Sequence, residues 1–286
     1  MERSQISAIT YPDVLKVLML VAIPAILAAI YYVTSLSFQQ TLVLDHTQPQ
    51  IHNFWTNAFV HEHRPGDRHL IGNIVGYLLL VFPCWILYIH RDLERIFWTG
   101  LAIILVIGPL VGSASSYIAF HELLGLEIEH DRGFSGIVGS LAGFLLMSIL
   151  YTFAQKQEEP VAVLSMGLYF GYLLLGLGVL TGSIVAVGLG VFVLIGMYLG
   201  TRTTYVASVV DLSEWGSENR QLSKVLVVAI LVSVFGFAVS LPADIATGDG
   251  LTNIVAHGTG VLFGMVVAGS LRYRQTRTST GDSTIA

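Results

Sequence analysis

The sequence predicts an all-α, polytopic membrane protein, and three observations carry that expectation. Of its 286 residues 54% are hydrophobic and only 12% are charged, about half the charged share of a soluble domain. Several uncharged stretches reach the roughly 20 residues that cross a bilayer core. Lysine and arginine fall almost entirely on alternate loops between those stretches.

The stretches place helices at about 14–38, 69–90, 96–119, 134–154, 161–180, 183–201, 224–242 and 251–271. The first contains an apolar run from Val17 to Phe38 that is longer than a signal-peptide core and lacks a clear small-x-small cleavage site, so it is expected to be retained. The stretch from Val161 to Thr201 carries no charge, and as one helix it would reach roughly twice the bilayer core. A hairpin is expected there, turning at Thr181-Gly182-Ser183. The lone cysteine, Cys84, lies inside an apolar run and reads as a packing residue.

Eight spans put both termini on one side. With that side inside, Arg3, Lys16, Arg91, Arg95, Lys156, Arg202, Arg220, Lys224, Arg272, Arg274 and Arg277 are cytoplasmic, and only Arg64, Arg68 and Arg132 lie outside. This bias follows the positive-inside rule and sets the expected orientation. The outer loops are then 39–68 and 119–133, residues 202–223 form an inner loop, and 273–286 is expected to be a disordered cytoplasmic tail.

Two motifs stand out on that frame. Gly133-Phe134-Ser135-Gly136 opens the fourth span, and Ala256-His257-Gly258-Thr259-Gly260 with Gly264 runs through the eighth. The three spans between them are an odd number, so both helices run in the same direction and both motifs sit near the outer face. Serine needs a base to take its proton, and histidine does this best near neutral pH. Gly260 and Gly264 share a helix face with His257, and a small-xxx-small strip lets two membrane helices approach closely. Gly133 and Gly136 clear side chains from around Ser135. At the outer end of the second span, His69 and Asn73 share one face at the depth of Ser135, as donors to a developing oxyanion. No Asp or Glu lies within the apolar cores, so the catalytic unit is a Ser–His dyad. Each motif alone also reads as helix packing; their agreement in order, side and direction favours chemistry.

The three motifs resemble those of the rhomboid intramembrane serine proteases: a His-x-x-x-Asn on the second core helix, a Gly-x-Ser-Gly opening the fourth, and an Ala-His-x-x-Gly-x-x-x-Gly on the sixth. The resemblance covers roughly residues 10–272, its motif support confined to about twenty positions, and it implies that residues 1–272 form one rhomboid-like transmembrane domain. It implies a six-helix core with about two additional helices, Ser135 as nucleophile, His257 as general base, and His69 and Asn73 beside the Ser135 backbone as oxyanion stabilisers. It implies an endopeptidase of the cell membrane that cuts transmembrane segments of other proteins near the outer face, without cofactor, metal or nucleic acid. The competing class is a non-catalytic rhomboid-like protein that binds transmembrane helices, and such relatives generally lack the serine or the histidine.

This chain departs from the family pattern in several places. Thr56-Asn57-Ala58-Phe59-Val60-His61 matches the stretch before the His-x-x-x-Asn motif, with about three extra residues following it, so His61 is the counterpart of a further family histidine. The Trp-Arg pair of the first outer loop is missing. Gly139 stands where many members carry a tyrosine that packs on the catalytic histidine, leaving Tyr169 and Tyr172 as candidates for that support. The core's fifth helix is any one of the three spans between 161 and 242. Metal chemistry is not expected: His61-Glu62-His63 offers one pair, and neither His61-Glu62 nor His121-Glu122 continues into His-Glu-x-x-His.

Overall fold

The computed structural model describes residues 11–63, 67–89, 93–154, 184–202 and 254–281, together with positions 167, 171 and 175. The architecture is all-helical. In chain order come α1 (Tyr11–Val33), α2 (Leu36–Gln40), α3 (Asn53–Thr56), α4 (Arg68–Ile89), α5 (Glu94–Tyr117), α6 (Ser135–Ala154), α7 (Ile184–Arg202) and α8 (Ile254–Gly281). Among the described residues, four helices are long and apolar enough to cross a membrane, over Val14–Val33, Arg68–Ile89, Glu94–Leu123 and Val255–Gln275. Shorter apolar segments occupy Ser135–Tyr151 and Val187–Gly196.

Two helix ends differ from the sequence expectation. The first helix stops at Val33, not at 38, because Thr34 turns its hydroxyl back to the Ile30 carbonyl and Ser35 caps α2 by accepting from the Phe38 N–H at 3.2 Å. The last helix runs on to Gly281, through most of the segment expected to be a disordered tail. Its first polar turn past the apolar stretch is tied by Arg272, which donates to Gln275 Oε1 at 2.8 Å. The expected span at 224–242, the inner loop at 202–223 and the turn at 181–183 lie outside the described residues. On the flanks of that turn, a Cβ on Gly190 would lie 2.9 Å from the Gly171 carbonyl oxygen, so the chain does fold back on itself.

Side-chain contacts fix the helix directions. On α4 and α6, His69 lies beside Gly133 while Tyr88 is bonded to Ser148, so these two helices run together. On α6 and α8, Gly136 meets Ala256 while Tyr151 meets Gly269, so they are also parallel. Helix α5 runs the other way, with Gly108 near Ser140 and Gly100 against Phe144. Helix α1 is antiparallel to α4: Tyr31 reaches Asp67 at one end, and Lys16 binds Glu94 at 2.8 Å at the other.

Helix α6 is the centre of the bundle, in contact with α4, α5 and α8. It is apolar on every side, and Ile137, Val138, Leu141, Phe144 and Leu145 are all fully buried, as expected of a helix surrounded by others. Acyl chains are as apolar as leucine, so close packing and polar stitches hold the helices together. Ser148 donates to the Tyr88 hydroxyl at 2.9 Å, and Glu94 accepts the indole N–H groups of Trp85 and Trp98 at 3.3 and 3.1 Å.

The segment between α2 and α4, expected as an outer loop, is built as tightly as the bundle. Asn53 donates to the Val43 carbonyl at 2.7 Å and Thr56 to that of Leu42 at 2.9 Å. Trp55 donates to the Val106 carbonyl at 3.0 Å, one turn before Pro109, where the proline disturbs the helical ladder of α5.

Candidate active site at the start of α6

Ser135 is the first residue of α6. The Phe134 carbonyl accepts from the N–H groups of Ile137 and Val138, which makes Phe134 the helix cap and leaves the Ser135 and Gly136 N–H groups without intrahelical acceptors. Ser135 is buried, and it borders a recess of about 390 Å³, its open mouth included, whose walls include Asn57, Gly112, Ser113 and Gly136.

Gly133 sets the approach to that serine. Its φ of +133° is a conformation that side chains disfavour, and its N–H donates to the Asn57 carbonyl at 3.0 Å. A Cβ there would stand 3.3 Å from His69 Nε2 and 3.9 Å from Ser135 Oγ. One point in space thus touches both side chains, which brings His69 to the Ser135 side of the recess.

His257 is buried on α8, next to Ala256. A Cβ on Gly136 would lie 3.5 Å from the Ala256 carbonyl oxygen. A Cβ on Gly260 would collide with the Gly136 carbonyl, and one on Gly264 with the Ser140 carbonyl. On the facing helix, Gly143 is pressed in the same way against the Val261 carbonyl. The seam is backbone against backbone, and it sets the His257 turn at the level of Ser135. The Ser135 hydroxyl and the His257 ring are not hydrogen-bonded to each other in this arrangement, a contact that catalytic sites often close only around substrate.

Asn73 is fully buried on α4, and its amide donates to His61 Nε2 at 3.1 Å and to the His69 carbonyl at 3.0 Å. The second bond fixes the amide orientation, because the reverse would set two acceptor oxygens against each other. His61 must then accept through Nε2, so it carries its proton on Nδ1. Burial holds its pKa well below the ordinary imidazole range, with the nearby His69 ring and Arg132 guanidinium adding to the effect, so His61 is neutral. The His61 and His69 rings meet edge to face, centroids 5.4 Å apart. Both amide hydrogens of Asn73 are thereby engaged, one by the His61 ring and one by the backbone carbonyl of His69.

The structure therefore brings Ser135, Gly133, Gly136, His69, Asn73, His257 and Gly260 to one end of the bundle, with Gly264 further along the same seam against Ser140 and Phe144. Tyr169 and Tyr172, the candidates for supporting His257, lie outside the described residues. The remaining loop histidines are dispersed: His46 bonds Asp131 at 3.2 Å, and His63 bonds Gln39 at 3.0 Å while stacking on Tyr31. Sequence reasoning missed Asn57, which joins Gly133 through its carbonyl and accepts from Ser113 at 3.0 Å through its side chain. It also missed Asp131, on the segment that leads into the serine.

Comparison with protein-family models, with curated proteins and with solved structures finds no match to this chain. The functional reading rests on the residues themselves.

Proposed function

We propose that this protein is a rhomboid-like intramembrane serine endopeptidase that cuts transmembrane segments of other proteins near the outer face of the cell membrane. The observation that carries the reading is the α6–α8 seam. Two glycine-lined helices run in the same direction at backbone contact, with a serine at the start of one and a buried histidine at the matching level of the other.

In the proposed reaction, Ser135 Oγ attacks the scissile carbonyl as His257 takes its proton. The oxyanion forms beside the Ser135 and Gly136 N–H groups and the His69 ring. Collapse expels the amine, which receives the proton from His257, and leaves an acyl-enzyme on Ser135. Water then attacks the ester, delivering its proton to His257, which passes it to the departing Ser135 Oγ as the acid is released and the enzyme is restored. Asn73 contributes by holding His69 and His61, and it reaches the oxyanion directly only by exchanging one of its present bonds.

The proposed topology is a six-helix core with about two additional helices between α6 and α8, eight spans in all, and both termini in the cytoplasm. The alternating directions of α1, α4, α5 and α6 support this, as does the parallel pair α6 and α8, which an even number of added spans preserves.

Labelling with a serine-reactive fluorophosphonate tests the chemistry. The native protein should label, and Ser135→Ala and His257→Ala should lose both labelling and cleavage of a model transmembrane substrate. Undiminished labelling of Ser135→Ala removes the nucleophile assignment, and unaltered cleavage by both variants removes the protease reading.

A further inference from the structure

Asp131 lies on the segment leading into the nucleophile and lines the same recess as Ser135. Its backbone makes the bridge to Leu44, donating to the Leu44 carbonyl at 2.9 Å and accepting from the Leu44 N–H at 3.1 Å. Three residues earlier, the Ile128 carbonyl accepts from the His46 N–H at 2.9 Å. A single carboxylate oxygen, Asp131 Oδ2, accepts from Ser116 on α5 at 2.7 Å and faces His46 Nε2 at 3.2 Å.

His46 is fully buried, and its ring has one hydrogen-bonding contact among the described residues, the one to Asp131. A Tyr117 ring lies against its edge, centroids 5.5 Å apart. The imidazole is thus placed by this carboxylate, to which Nε2 donates, and by the Tyr117 ring. One side chain ties three elements together: the loop after α2, the outer part of α5 and the entry to α6. Gly133, with its special backbone conformation, follows two residues later.

We infer that Asp131, clamped by His46 and Ser116, is a positioning residue that holds the Gly133-Phe134-Ser135 turn in register with the recess. The inference deepens the protease reading and rests on it. Displacing a reacting group by about 1 Å can cost on the order of 100-fold in rate without changing the reacting groups themselves.

The test pairs two readouts on the full-length protein. Hydrogen exchange at the Leu44 and Gly133 amides reads the clamp directly, and fluorophosphonate labelling with cleavage of a model transmembrane substrate reads the site. Asp131→Ala and His46→Leu should speed exchange about tenfold. They should slow labelling and kcat by about 10–100-fold, with KM within about twofold of native. Asp131→Asn, which keeps an acceptor oxygen, and His46→Gln, which keeps a donor, should recover most of both. Unchanged exchange in Asp131→Ala and His46→Leu overturns the clamp. Faster exchange with unchanged labelling, a loss confined to KM, or no recovery in the conservative variants overturns the positioning role. A native protein that never labels at Ser135 sinks the protease reading instead, while the exchange data still decide the clamp.

Discussion

Gly133 is held by two independent constraints, a φ of +133° and the His69 ring 3.2 Å from where its Cβ would be. Gly133→Ala therefore carries backbone strain of about 1–3 kcal/mol next to Ser135. It should slow labelling of Ser135 about tenfold or more while the helices stay folded by circular dichroism. His61 gives a pH dependence of known sign. Its folded pKa lies well below the 6.5 of the free ring, so below that pH the unfolded chain takes up a proton that the folded protein does not. Stability is full above about pH 6.5 and falls with acidification, by about 1.4 kcal/mol per pH unit for this group, until the folded ring itself protonates and the Asn73 bond is lost. His61→Gln, which keeps an acceptor for Asn73, should flatten that decline in thermal melts between pH 7 and 5; an equally steep decline would show that another group is responsible. Ser135, His257, His69 and Asn73 were legible in the sequence as candidates because each sits in a short motif whose spacing on a helix is itself the signal. Asp131 and His46 were not. They are 85 residues apart, in loops where such residues are common, and only the folded bridge makes them partners.

At the scale of elements, glycines with different neighbours should differ in tolerance. Gly264 faces the Ser140 carbonyl and the Phe144 N–H, backbone that cannot move without shifting a helix, whereas Gly100 faces the end of the Phe144 ring. Gly264→Ala should cost about 1–3 kcal/mol in detergent unfolding, as overpacking does, and Gly100→Ala clearly less. Equal costs would mean that α8 slides freely on α6. Among the described residues, helix existence was readable from uncharged length, but ends were set by local bonds that hydropathy does not register. Ser35 and Thr34 stop α1 early, and the Arg272–Gln275 pair carries α8 onward. The order within residues 41–63 escaped the sequence for a related reason. It is built from side-chain bonds to carbonyls, such as those of Asn53, Thr56 and Trp55, and not from periodic apolar residues.

For the whole molecule, the proposed orientation makes a prediction that needs no activity. Cys84 is fully buried and contributes little background to thiol labelling. Ile51 is 90% exposed at the Ser135 end of the bundle, and Arg274 is exposed at the other. A membrane-impermeant maleimide added to intact cells should label Ile51→Cys and spare Arg274→Cys until the cells are opened; the reverse pattern would invert the topology. The seam between α6 and α8 has one more consequence, for how the protein lives in lipid. A bilayer that thickens or thins makes helices tilt and slide, at small cost per ångström. Two helices locked carbonyl to Cα must respond as one body, so the spacing of Ser135 and His257 is insulated from the lipid composition around them.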